Sequence, residues 1–187
     1  PSILPVLEKV RPKLHIPIVY NCGGYERVET LRMLEGYVDV YLPDLKYFSS
    51  QLSGALSGAP DYFLHASAAL SEMIRQTGTP VFDKNKMLVR GTLIRHMVLP
   101  GQKEDSIRLL GWMAENLPKG GFLLSLLSQY TPFFKAAEHP QINRRLTSYE
   151  YGKVLGAALE LGLDTGYMQE RSSAREEDTP PFDLEGL

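Results

Sequence analysis

Between Val38 and Tyr47 the chain alternates with a period of two. Val38, Val40 and Leu42 stand against Asp39 and Tyr41, and β-branched and aromatic residues suit a half-buried strand. Pro43 cannot donate to a sheet ladder, so the strand is expected to end there. Asp44 and Lys46 lie directly beyond its carboxyl end. Where parallel strands are covered by helices, ligands sit at that end. The pair reads in two ways: a carboxylate and an ammonium aimed into a shared cleft, or a turn-capping Asp44 beside a solvated Lys46.

The rest of the chain alternates between strand and helix patterns. Residues 2–13 read as a helix capped by Ser2, with Ile3, Val6, Leu7 and Val10 on one face and Pro12 at the end. Residues 16–20 form a short apolar strand, after which Gly23 and Gly24 permit a sharp turn. Residues 26–34 read as a short helix. Residues 49–60, rich in Ser, Gly and Ala, read as a loop with at most one helical turn. Residues 61–76 form a helix capped by Asp61, with Phe63, Ala66, Leu70, Met73 and Ile74 inward and Gly78 at its close. A small β-excursion over 81–88 turns at 83–85. Strands at 93–99 and 122–127 flank a helix over 102–116, and a long irregular segment covers 131–146. A final helix over 148–161 carries Glu150 near its start and is closed by Gly162. A short strand is expected over 165–168.

Such alternation predicts an α/β fold with a mainly parallel sheet and outer helices. The 187 residues are too few for a closed eight-stranded barrel, which takes about 250. The expected architecture is a partial, open TIM-type barrel over residues 1–170, followed by an acidic, disordered tail over 171–187.

Composition removes several function classes. A net charge of −2 gives no electrostatic footprint for nucleic acid or a membrane surface. No apolar run reaches the roughly 18 residues of a membrane span, and the N-terminus lacks the features of a signal peptide; a cytoplasmic location is the expectation. Cys22 is the single cysteine, so neither an internal disulfide nor a metal site with several cysteines of this chain is possible. Beside the glycines it reads as a small packed residue in preference to an activated thiol. His15, His65, His96 and His139 show no close ligand spacing. Arg95 and His96 are neighbours on a strand and point to opposite faces. If Arg95 faces the cleft, His96 packs under the outer helices.

Several strand ends carry a resemblance. They are Ile-Val-Tyr-Asn-Cys-Gly-Gly-Tyr-Glu at 18–26, Val-Asp-Val-Tyr-Leu-Pro-Asp-Leu-Lys-Tyr at 38–47, Leu-Ile-Arg-His-Met-Val-Leu-Pro-Gly at 93–101, Ser-Gln-Tyr-Thr-Pro at 128–132 and Ile-Asn-Arg-Arg-Leu-Thr at 142–147. In this order they are similar to the radical S-adenosylmethionine proteins related to pyruvate formate-lyase-activating enzyme. The resemblance implies a partial barrel holding S-adenosylmethionine and a [4Fe-4S] cluster. It implies reductive cleavage of the sulfonium to a 5′-deoxyadenosyl radical and hydrogen abstraction from a glycyl-radical-type protein substrate. An electron donor such as flavodoxin or ferredoxin belongs to the same picture. Carried over by position, Asp44 and Lys46 match the pair near the methionine moiety, and Arg95 matches an arginine facing the cofactor. Gln129 or Tyr130 lies where the family contacts adenosine.

The chain departs from the family pattern twice. Tyr20 and Asn21 stand where relatives carry an Asp-Thr-type pair, so Asn21 keeps hydrogen-bonding capacity without a carboxylate. The Cys-x3-Cys-x2-Cys cluster motif is absent, and Cys22 cannot replace three thiolates. The expectation is a fragment lacking its N-terminal part, since the chain begins without Met. The alternative is a cluster-free barrel that binds a small molecule or a protein.

Overall fold

A computed structural model describes residues 3–168; the cap expected at Ser2 and the tail expected over 171–187 lie outside them. The elements are α1 (Leu4–Val10), β1 (Val19–Cys22), α2 (Val28–Met33), β2 (Val40–Pro43), α3 (Ser50–Ser57), α4 (Tyr62–Thr77), β3 (Val81–Phe82), β4 (Leu88–Met97), α5 (Lys103–Asn116), β5 (Leu123–Leu127), α6 (Ser148–Glu160) and β6 (Gly166–Met168). The main sheet runs β1-β2-β4-β5-β6, parallel throughout and open, and β3 adds an antiparallel pairing to β4. This is the expected α/β architecture.

Alternation along the strands sorts side chains between two faces. Ile94, Val98, Leu124 and Leu126 meet Leu70, Leu109, Leu110, Met113, Val154 and Ala158 from the helices, all nearly or fully buried. Tyr41 packs with Leu31, Ala69 and Met73 on the same side. Burying these apolar side chains is the main drive for the fold, at about 1.5–3 kcal/mol per large residue. The other face carries Asn21, Asp44, Arg95 and Met97.

Several boundaries differ from the sequence reading. Residues 50–57 are a helix and not a loop: the Ser49 side chain accepts the Leu52 N–H at 3.3 Å, and Gly58 ends the helix in the left-handed region at φ 65°. Capping at both ends outweighs a composition that favours loops. Asp61 stands at the N-cap of α4 without capping it, because its carboxylate is engaged by Tyr25 and His65. The first helix stops at Val10 and tightens into a 3-10 turn over Arg11–Lys13, and none of its residues is buried. The strand placed at 16–20 lies at Val19–Cys22, past Pro17. The excursion at 81–88 leads straight into β4, so that strand starts at Leu88 and not at 93.

The segment 131–146 contains a 3-10 turn, Phe134–Glu138. It is anchored by the start of α6, where Thr147 and Glu150 form a complete capping box.

Candidate functional site

The carboxyl ends of β1, β2 and β4 are adjacent, and their register brings three polar side chains together. Asn21 pairs with Leu42, and Asp44 forms a bridge with Arg95 across the β2–β4 boundary. Arg95 Nη2 donates to Asp44 Oδ1 at 2.7 Å and to Asn21 Oδ1 at 2.7 Å. Lys46 Nζ stands 3.8 Å from Asp44 Oδ2. Arg95 and Asp44 are 30% and 26% exposed, so solvent screens their field less than that of a fully exposed pair. The Arg95 Nε is buried, and no group among the described residues accepts a hydrogen bond from it. A buried donor without an acceptor costs about 1–3 kcal/mol; the Nε is closed to solvent, so a ligand carboxylate would remove that cost by drawing the Arg95 side chain toward the cavity.

Beside this rim lies a cavity of about 240 Å³, lined by Asp44, Lys46, Arg95, Met97, Leu127 and Tyr130, among others. It shares Tyr47, Leu99 and Tyr130 with a second hollow of about 560 Å³ next to residues 133–142. The first hollow alone is below the roughly 300–1,000 Å³ of small-molecule sites; the pair falls within that range. Burial pushes the Tyr130 hydroxyl pKa up, so it stays protonated and its ring offers a flat wall.

Of the residues singled out from sequence, Asp44, Lys46, Arg95 and Tyr130 therefore line one cavity, and Asn21, exposed and outside the lining, joins them through Arg95. Gln129 is half-buried and is not part of the cavity lining. The reading of Asp44 as a turn cap fails, since the cap of the following helix is Ser49. Cys22 points to the helix side with Tyr20, and burial pushes its thiol up to about 11; it is a packed residue and no nucleophile at neutral pH. Arg144 forms a forked pair with Glu150.

Sequence reasoning placed His96 on the helix side but missed how the rim is held from behind. His96 is fully buried, and its desolvation lowers the pKa, so the ring is neutral. Its Nδ1–H donates to the Leu45 carbonyl at 2.7 Å, and its Nε2 accepts from Ser106 Oγ at 2.9 Å. Asp105 accepts the N–H groups of Phe48 and Ser49 at 2.9 and 2.8 Å. The strand alternation put His96 under the outer helices, where it lies, but its partner Leu45 O is a backbone atom with no sequence signal. Met97 and Leu99 follow Arg95 at a spacing of two and could have been assigned to the cavity.

No family model matches the chain. An uncharacterized protein of Methanocaldococcus jannaschii is 31% identical over 156 residues, which cover 82% of this chain and 41% of that protein. The chain thus spans about two fifths of the length of that relative. Among solved structures, a domain of pyruvate-formate lyase-activating enzyme from Bacteroides vulgatus superposes with a TM-score of 0.60 at 15% identity, over 90% of each chain. The two share a fold. At that identity the likeness extends to architecture, the one on which the sequence resemblance also converged.

The residues present fit the groups that the sequence resemblance implies unequally. S-adenosylmethionine carries a carboxylate, an ammonium and a flat adenine, and the rim offers Arg95 Nε, Asp44 and an aromatic wall. An iron–sulfur cluster does not fit: among the described residues no group of three or more His, Cys, Asp or Glu side chains could hold a metal, and Cys22 faces away. No helix among the described residues is long and apolar enough to cross a membrane.

Proposed function

We propose that this chain is the S-adenosylmethionine-binding region of a radical S-adenosylmethionine oxidoreductase resembling the glycyl-radical activating enzymes. The observation that carries the reading is the rim itself: Asp44 and Arg95 on adjacent parallel strand ends, with a buried Arg95 Nε left without an acceptor. Arg95 would receive the carboxylate of the amino-acid group, and Asp44 its ammonium. Lys46 balances the charge of Asp44, and Asn21 fixes the Arg95 fork. Tyr130 and Tyr47 would flank the adenine.

When bound and reduced, S-adenosylmethionine supplies a carbon-centred radical able to abstract hydrogen. The described residues would bind and orient it, and the electron that parts the sulfonium into methionine and that radical would come from a donor protein. A protein substrate of the glycyl-radical type is part of this proposal, and so is a flavodoxin- or ferredoxin-like donor.

The lone, inward-packed Cys22 favours a second reading, a cluster-free barrel that binds a small molecule or protein. Anaerobic expression of the complete gene product, followed by iron and sulfide reconstitution, separates the two. The first reading expects brown protein with absorbance near 400 nm and S-adenosylmethionine binding lost in Asp44→Asn. Colourless protein with unchanged binding in that variant rejects it.

A further inference from the structure

The sheet ladder between β1 and β2 ends at Cys22 and Pro43, yet the charges of the rim lie beyond it. Backbone bonds from the Asp44 N–H to the Cys22 carbonyl and from the Leu45 N–H to the Arg95 carbonyl, each at 2.9 Å, hold residues 44 and 45, and leave the Asp44 carbonyl and the Lys46 N–H to other groups. Tyr62, in the first turn of α4 and 4% exposed, lies there. Its hydroxyl accepts the Lys46 N–H at 3.0 Å and shares its proton between the Gly23 and Asp44 carbonyls, each at 2.9 Å. Burial raises its pKa strongly, so the proton stays on the oxygen. The ring is wedged between Tyr25, stacked at 6.0 Å, and Tyr47, edge-on at 5.5 Å. Gly24, at φ +79°, brings the turn after β1 so close that a Cβ there would collide with the Asp44 carbonyl and crowd the Tyr62 hydroxyl. From the other side His96 holds the Leu45 carbonyl.

We propose that Tyr62 is a positioning residue for the charged rim: its hydroxyl locks the backbone of residues 44–46 onto the Gly23–Gly24 turn and so sets where Asp44 and Lys46 stand against Arg95. The inference rests on the rim being the ligand site described above. A single hydroxyl serves backbone groups of both strand ends, so its loss frees the Lys46 N–H and loosens the Asp44 carbonyl at once. The aromatic packing alone would keep α4 in place without fixing the charges.

The test is Tyr62→Phe, which keeps the ring. Amide hydrogen exchange of Lys46 is expected to speed up by at least about tenfold, one lost hydrogen bond's worth, while the amides of Leu124 and Leu126 stay protected. S-adenosylmethionine affinity is expected to fall by about tenfold, and affinity for 5′-methylthioadenosine, which lacks the amino-acid group, to hold. Replacement of Tyr62 by 3-fluorotyrosine should restore both. Unchanged Lys46 exchange overturns the proposal, as does an equal loss of affinity for both ligands. If the unsubstituted protein binds neither ligand, the ligand reading fails and the Lys46 exchange alone decides the role of Tyr62. Should the variant not fold, the unsubstituted protein must show a slowly exchanging Tyr62 hydroxyl proton close to the Lys46 amide; its absence also overturns the proposal.

Discussion

Glu150 and Asp44 both meet an arginine, and they are completed to different degrees. Glu150 Oε1 accepts from Arg144 Nη2 and the Gly101 N–H, each at 2.7 Å. Its Oε2 accepts from Arg144 Nη1, the Thr147 N–H and Thr147 Oγ1. That carboxylate is saturated by the protein and only 10% exposed. Asp44 has a close bond to Arg95 and a long approach from Lys46, and Arg95 keeps a buried donor without an acceptor. A saturated ion pair holds a fold together. An unsaturated one beside a cavity keeps capacity for a ligand, at a cost to stability.

The largest expected effect tests the first half of that contrast. Glu150→Gln is expected to lose about 2 kcal/mol of stability, because the buried carboxylate gives up its charge-assisted bonds to the Gly101 N–H and Thr147, while Arg144 is still reached by water. Asp44→Asn, by contrast, should lose less than about 1 kcal/mol, as partly exposed pairs do. Urea denaturation of both variants reads the difference, and equal losses would break the comparison. Next in size is Arg95→Lys. It keeps the charge and removes the fork, so S-adenosylmethionine affinity should drop by about tenfold, or ~1.4 kcal/mol, with the melting temperature nearly unchanged. Calorimetric titration paired with a thermal melt measures this.

Acid sharpens the same contrast. The forked Arg75 holds Glu72 from 4.5 down to about 2, and Arg144 likewise holds Glu150 well below the usual carboxylate range. Both carboxyls have lower pKa values folded than unfolded, so their stabilisation is complete above about pH 5 and is lost as pH falls toward 2. Stability measured over that window should fall steeply, and Glu150→Gln should flatten the slope. The smallest effect concerns Cys22. With its thiol near 11, alkylation by iodoacetamide should be slow at pH 7.5 and accelerate as the pH approaches that value; fast labelling at neutral pH would contradict its packed position.

The fold was legible where period and punctuation agreed. Val38 to Pro43 announced β2, the apolar stripe of Ala66, Leu70 and Met73 announced α4, and Gly78 marked its end. Failures came where local chemistry competed with composition. Ser49 and Gly58 capped a stretch that read as a loop, and Pro17 pushed a strand later. The rim was legible as positions, since Asp44 directly follows β2 and Arg95 stands two residues before the end of β4. Its completeness was not, because the pairing of Arg95 with both Asn21 and Asp44 depends on register between strands far apart in sequence. Tyr62 was invisible for the same reason: its partners are backbone atoms of Gly23, Asp44 and Lys46, which carry no residue signature.

The most direct test is the Arg95 Nε–H resonance in a ¹⁵N–¹H spectrum, assigned by its loss in Arg95→Lys and followed as S-adenosylmethionine is added. A donor that gains a carboxylate acceptor should shift downfield and exchange more slowly with water. An Arg95 Nε–H signal that stays in place while ligand saturates the protein would contradict the claim that this unsaturated arginine is where the ligand binds.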